Sequence, residues 1–288
     1  MDDPLTRAVG ADLGATVVDA SVVHGGDVAA AFRLTLDDGR TVFAKTHPAP
    51  PPGCFTTEAA GLGWLRDADA PGIAVPEVLA VDDGPPARLV LAWIDAGAPA
   101  PSTEADLGRG LAALHRAGAP SFGREDRRTT GSRGLPNEPC ATWPDFYATQ
   151  RLLPLARLAR DARALPDAAV EDLVALAGRL DAVGGPPEPP ARLHGDLWAG
   201  NRLVGAGGTS WLIDPAAHGG HREFDLAMMR LFGGFGPGCF AAYQEVAPLA
   251  DGWEDRVALH QVAPLVVHAV KFGRGYVGAA TDAIARYR

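Results

Sequence analysis

Residues 16–23, 28–36 and 40–46 alternate apolar and polar side chains with a period of two, the spacing of half-buried antiparallel strands. Asp37-Asp38-Gly39 joins the second and third as a hairpin turn, and His24-Gly25-Gly26-Asp27 joins the first two as a tight glycine turn. A short helix is expected ahead of them over 1–13. Over 55–68 the period becomes helical, with Ala59, Leu62 and Leu65 on one side and Glu58 in the first turn. Strands follow at 75–81 and 88–94. The pattern predicts a five-stranded antiparallel sheet with one embedded helix.

The pattern breaks at Asp95-Ala96-Gly97-Ala98-Pro99-Ala100-Pro101, a linker by its glycine and proline content. Helical spacing dominates beyond it, over 103–117, 142–163 and 167–183, then near 225–233, 238–247, 252–270 and 276–286. A locally basic loop over 118–139 and the stiff connector Pro186-Pro187-Glu188-Pro189-Pro190 interrupt these helices. The expected fold class is α+β in two lobes: a β-rich N-terminal lobe over 1–94 and a mainly helical lobe over 95–288.

Composition changes this picture in three ways. The chain of 288 residues is 47% hydrophobic, ample for a core, and its net charge of −9 with pI ≈ 5.3 argues against nucleic acid as a partner. Cys54, Cys140 and Cys239 are far apart and odd in number, which suits a reduced cytoplasmic protein without a disulfide frame. Met1-Asp2-Asp3-Pro4 opens no apolar run, and the longest apolar stretch, 262–270, contains Pro264 and His268, so neither a signal peptide nor a membrane span is expected. A monomer is expected. Of 26 basic residues only Lys45 and Lys271 are lysines. In a chain that uses Arg for generic positive charge, each retained ammonium calls for a reason.

The candidate chemistry lies in His194-Gly195-Asp196-Leu197-Trp198-Ala199-Gly200-Asn201, followed by the apolar strand Trp211-Leu212-Ile213 that ends at Asp214. This order matches the phosphoryl-transfer pattern in which the first Asp takes the hydroxyl proton while the Asn and second Asp hold Mg²⁺. Asp196 is the candidate base; Asn201 and Asp214 are candidate metal ligands, both hard oxygen donors. Lys45, closing Val42-Phe43-Ala44-Lys45, and Glu58 form a candidate pair against the phosphates of ATP. Gly25 and Gly26 stand where a phosphate-covering loop belongs. Trp93, Ile94 and Asp95, at the end of the last N-lobe strand, are placed to meet adenine. On the acceptor side, Trp198 offers a flat face to a sugar or a cation, and His194 orients the loop by hydrogen bonding.

Some motifs carry less. Gly273-Arg274-Gly275-Tyr276-Val277-Gly278 has dinucleotide-loop spacing but no room for the βαβ unit, so a helix junction is expected. His218-Gly219-Gly220-His221 has ligand-like spacing without an apparent third ligand, and reads as a substrate loop rather than zinc.

The chain resembles the fructosamine-3-kinase (ketosamine kinase) family, relatives of aminoglycoside and choline kinases with a protein-kinase-like fold. The resemblance is carried by His194–Asn201, Ile213-Asp214-Pro215-Ala216, the segment 220–228 (Gly-His-Arg-Glu-Phe-Asp-Leu-Ala-Met), 55–59 and 25–28. It implies ATP- and Mg²⁺-dependent phosphorylation of the 3-hydroxyl of a ketosamine, a small molecule whose 3-phosphate sheds its amine. It also implies that Asp225 buttresses the catalytic loop. Two other readings stay open: a kinase for another amine-bearing small molecule, such as an aminoglycoside or a choline-like alcohol, and a nucleotide-binding pseudokinase. The intact Lys45, Asp196, Asn201 and Asp214 speak against the last.

Overall fold

The computed structural model describes residues 3–24, 29–125, 129–130 and 134–288. Gly25 and Gly26 lie outside the described residues. Helix α1 (Pro4–Leu13) starts on proline, whose fixed φ and missing N–H suit a first turn. Strands β1 (Val17–Val23), β2 (Ala30–Leu36) and β3 (Thr41–Thr46) follow, then α2 (Cys54–Arg66), β4 (Ile73–Ala74), β5 (Val78–Asp82) and β6 (Arg88–Ala92). Five of the strands form one antiparallel sheet in the order β1-β2-β3-β6-β5. Gly39, at φ 88°, makes the β2–β3 turn that the sequence marks.

Alternation gives the sheet two different faces. Leu34, Val42, Ala44 and Val90 point to one side and bury against Leu5 and Val9 of α1. Lys45 lies on the other side, in register with Ala31 and Leu89, together with Phe43 and Leu91. The two-residue period therefore aims Lys45 at α2 and the helical lobe.

The expected strand at 75–81 starts only at Val78, as β5, past Pro76, which cannot donate to a ladder. Ahead of it, where no strand was expected, β4 stands outside the large sheet and pairs in parallel with a strand of the helical lobe. That lobe begins with α3 (Thr103–Arg116), the two-residue strands β7 (Thr129–Thr130) and β8 (Leu135–Pro136), and α4 (Trp143–Tyr147). Here the expected 142–163 helix carries a π-helical turn, Ala148–Leu152, before continuing as α5 (Leu153–Asp161). The 167–183 helix is likewise two, α6 (Asp167–Ala177) and α7 (Leu180–Val183), parted at Gly178. Strands β9 (Ala191–Leu193), β10 (Arg202–Val204), β11 (Ser210–Leu212) and β12 (His218–Gly220) surround the candidate loop. Helices α8 (Glu223–Leu231), α9 (Pro237–Val246), α10 (Trp253–Phe272) and α11 (Arg274–Ala285) complete the chain. No described helix is long and apolar enough to cross a membrane.

The core crosses from one lobe to the other. Phe55, Leu62, Leu89 and Leu91 share a cluster with Leu107, Leu111, Leu197, Leu212 and Leu226. A separate cluster fills the far end, where Phe146, Tyr147 and Leu173 meet Leu259, Val262 and Ile284.

Arg88 ties α1 to the sheet, its guanidinium meeting Asp12 through both carboxylate oxygens at 2.6 and 2.8 Å. It also donates to the Pro86 carbonyl at 3.0 Å. Arg88→Met should lower unfolding stability by about 2 kcal/mol in urea titrations, because Asp12 loses its fork and Pro86 its donor. Arg88→Lys should recover less than half of that, since an ammonium cannot reproduce the bidentate contact.

Candidate active site

The loop 194–201 emerges from β9 and is held from below by one buried carboxylate. Asp225, in the first turn of α8 and 0% exposed, accepts the N–H of His194 at 2.7 Å and of Gly195 at 2.9 Å. His115 on α3 faces the same carboxylate at 3.3 Å and is itself met by the Tyr243 hydroxyl at 2.8 Å. Burial alone would raise the Asp225 pKa; the His115 contact and the backbone donors instead hold it below the usual carboxylate range. Gly195 sits at φ 80° against the Ala216 carbonyl, where a Cβ would collide. Glycine is required there.

His194 is fully buried. Its Nε2 donates to the Ile213 carbonyl at 2.9 Å, and its Nδ1 accepts the Asp196 N–H at 3.2 Å. This fixes the neutral tautomer, and burial lowers the ring's pKa further. The substrate-side placement of His194 is thereby corrected: both ring nitrogens are committed to the loop, and none of the ring reaches solvent.

Asp196 is held by Asn201, whose amide Nδ2 donates to the Asp196 carbonyl at 2.8 Å and to its Oδ2 at 3.1 Å. The amide oxygen of Asn201 takes no part in these two contacts. Burial pushes the Asp196 carboxyl up to about 6; Asn201 pulls against this, Asp214 and Asp225 add to the rise, and Lys271 opposes it. The Asn201 carbonyl in turn accepts the Ile213 N–H at 3.0 Å, which brings Asp214 beside it. Asp214 takes a left-handed φ of 52°, a conformation Asp tolerates better than most residues, and so turns its side chain out of the strand direction.

Lys45 closes the site from above. Its Nζ lies 3.1 and 3.0 Å from the two Glu58 oxygens and 3.1 Å from Asp214 Oδ1, a residue 169 positions away. Burial would lower the Lys45 pKa, but the two carboxylates outweigh it and raise it, so the ammonium persists. Burial pushes Glu58 up to about 7 against the pull of Lys45, with Asp214 adding to the rise: one ammonium serves two carboxylates. Gly61 on α2 comes so close to Pro215 that an added Cβ would stand 3.3 Å from its Cγ, which seats the helix carrying Glu58 directly on the Asp214 turn.

Trp93, Ile94 and Asp95 leave the sheet after Ala92, and the chain then crosses to the β10–β11 turn, with the Gly97 N–H bonded to the Val204 carbonyl at 2.8 Å. Arg33 stacks on the Trp93 ring at 5.2 Å. The geometry gives these three residues a junction position between lobes.

Trp198 is 39% exposed, and it heads an aromatic wall that sequence reading missed. Phe232 (40% exposed) meets it edge-on at 5.9 Å and contacts His268 at 5.3 Å. Tyr276 lies 4.9 Å from His268, and Phe272 (46% exposed) lies 5.4 Å from it. These residues come from the end of α8 and the α10–α11 junction, so no local spacing could have linked them to Trp198. The glycine triplet at 273–278 is that junction, as expected.

The substrate-loop reading of His218–His221 fails. Both rings are buried, His218 beneath Gly195 and beside Phe146, and burial lowers their pKa values to about 3 and 4. Folding does supply a third ligand type: Glu223 and His260 stand within 4.8 Å of His221. Glu223 is already neutralised by Arg256 at 2.9 and 2.6 Å, and His221 Nδ1 accepts the Glu223 N–H at 3.3 Å, which leaves a proton on Nε2. The cluster is therefore a buried ion-pair network and a poor cation site.

Known proteins share this architecture. The fructosamine kinase family model matches residues 5–288. A ketoamine kinase assigned in Thermus thermophilus is 37% identical over 265 residues, 91% of each chain. The chloroplastic protein-ribulosamine 3-kinase of Arabidopsis thaliana is 31% identical over 99% of this chain and 88% of its own. A crystal structure from Thermobifida fusca assigned as a fructosamine-3-kinase is 40% identical over 98% of both chains, with TM-score 0.89. An aminoglycoside phosphotransferase, 18% identical with TM-score 0.61, shares the fold alone. By the match over nearly its whole length and these relatives, the chain belongs to the fructosamine kinase family and is a phosphotransferase of kinase-like fold.

Proposed function

We propose that the protein transfers the γ-phosphoryl group of ATP to the 3-hydroxyl of a ketosamine. One observation carries the phosphoryl-transfer reading: Glu58 and Asp214, from two separate segments, both lie within 3.1 Å of the Lys45 ammonium, which comes from a third. The acceptor class is supported by the names of the relatives, ketoamine and ribulosamine kinases.

In this reading Asp196 accepts the proton of the acceptor hydroxyl as its oxygen bonds to the γ-phosphorus and the bond to the ADP oxygen breaks. Lys45, steadied by Glu58, lies against the α/β-phosphates, and Trp93 to Asp95 receive the adenine through their backbone. Asn201 and Asp214 would hold Mg²⁺. Their fit is chemical: an amide oxygen left over from the Asp196 contacts and a carboxylate 38% exposed are hard donors, too few for an all-protein cage and suited to an ion that keeps waters and phosphate oxygens. Mg²⁺, when bound, neutralises charge on the phosphates. The Trp198 face would cover the sugar ring. A 3-phosphate so formed can eliminate and release the amine, which makes the net outcome deglycation.

A substrate panel tests the acceptor: ATP turnover is expected with fructosyl or ribulosyl amines, and turnover with aminoglycosides alone would end the ketosamine reading. Asp196→Asn should lower kcat by roughly 10³-fold, and an unchanged rate would remove Asp196 as base. For the intact enzyme, kcat/KM should fall as pH drops through about 6, where the Asp196 carboxyl takes up its proton. An acid limb near the ordinary Asp value would refute this. The same raised pKa costs stability as pH rises from about 4 to 6, since the folded state holds the proton more tightly than the unfolded one. Asp196→Asn should consequently melt higher than the native chain at pH 8 and no higher at pH 4. Lys45→Met should raise the KM for ATP and lower kcat together, by at least about tenfold each in steady-state assays.

A further inference from the structure

Several contacts tie the aromatic wall beside Trp198 to the candidate loop. The Trp198 ring lies back over Gly200, where an added Cβ would collide with three of the ring carbons. Gly200 adjoins Asn201, whose amide holds Asp196 at 2.8 and 3.1 Å. The segment 232–236 (Phe-Gly-Gly-Phe-Gly) follows α8 and rests on the same loop: Gly234, at φ 88°, leaves no room for a Cβ against Ala199. Glu104 of α3 fixes the end of this segment, accepting the Gly236 N–H at 2.7 Å and the guanidinium of Arg202, the residue after Asn201, at 2.6 Å. Arg202 also stacks on the Phe235 ring at 5.6 Å. Phe232 is thereby held with its ring 5.9 Å from that of Trp198, the two planes crossing at 72° and both rings partly exposed. We infer that Phe232 is a specificity-determining residue, its ring and that of Trp198 forming a two-sided corner for the protonated amine of the acceptor. This rests on the ketosamine reading above.

The chemistry of the acceptor favours a cation at this corner. A ketosamine differs from its parent sugar in the secondary amine on C1, which carries a proton at neutral pH. Only C2 stands between C1 and the reacting C3. With the 3-hydroxyl at Asp196, the ammonium is therefore carried beside the rings that flank the loop. An aromatic ring presents negative charge on its face, and two faces set at a wide angle attract one cation together. An aliphatic side chain at 232 would offer bulk without that field. The surrounding charge has the matching sign: Asp196 and Asp214 bear carboxylates, while the ammonium that opposes them at Asp196, Lys271, lies over the Phe272 ring at the other end of the wall. Trp198 alone suits a sugar ring of any kind. The second ring, set across it, adds discrimination between an amine-bearing acceptor and a neutral one.

The test compares 1-deoxy-1-methylaminofructose with 1-O-methylfructose, in which an ether oxygen replaces the amine. Calorimetry gives the dissociation constant of each in the presence of a non-hydrolysable ATP analogue. The native enzyme should bind the amine roughly tenfold more tightly than the ether. Phe232→Leu should shrink that preference to about threefold or less by weakening the amine, with the ether changed by less than about twofold. Phe232→Tyr, which keeps a ring, should retain most of the preference. Equal dissociation constants in the native enzyme would overturn the inference. So would a Phe232→Leu enzyme that weakens amine and ether alike, which would make the ring a matter of shape, or one that leaves the preference intact. A native enzyme that binds neither compound would overturn the ketosamine reading and this inference with it.

Discussion

A single buried carboxylate, Asp225, organises the candidate catalytic loop. Removing an ionised group from water is costly unless donors replace the lost hydration. Here two successive backbone N–H groups and His115 do so, and the Tyr243 hydroxyl fixes His115 from behind. The consequence is geometric. With His194 and Gly195 pinned on one side and the Ile213 carbonyl gripping the His194 ring on the other, the next residue, Asp196, has little freedom in where it points. Helices α3, α8 and α9 each contribute one member of this support.

Asp196 and Asp225 lie on the same loop system and are pushed in opposite directions. Asp225 is the more deeply buried, yet its donors hold it ionised; Asp196 has one side-chain donor and two neighbouring carboxylates, so burial prevails. Paired carboxyls with diverging proton affinity are a recurring way to divide structural and acid–base duties. The upper part of the site follows a different rule. Lys45 is shared by Glu58 and by Asp214, and the close seat of Gly61 on Pro215 keeps the helix bearing Glu58 from drifting away.

Much of this was legible in the chain itself. The period-two strands, the hairpin at Gly39 and the Lys45–Glu58 pair are local or nearly local signals, and the five-stranded sheet follows from them. The departures have physical causes. Pro76 moved the start of a predicted strand to Val78, and Ile73 and Ala74, outside any predicted strand, pair with the other lobe's β11. Two histidines with ligand-like spacing became core because β12 pairs with β9 beneath the loop, a long-range event no spacing announces. The aromatic wall was hidden for the same reason: Trp198 and Tyr276 meet through Phe232 and His268, contributed by distant helices. Trp198 itself could have been core or surface on sequence grounds, and it is partly exposed.

The core that runs between the lobes has a consequence for how such a chain can vary. Phe55, Leu62 and Leu89 pack in one cluster with Leu107, Leu197 and Leu212, so the surface on which the β-rich half rests is also the surface behind the candidate loop. Recombination within the linker at 95–101 would join two apolar faces that were never fitted to one another, and would disturb Leu197, the neighbour of Asp196. The two halves are therefore fitted to one another through a common core, while the α10–α11 junction stands outside it.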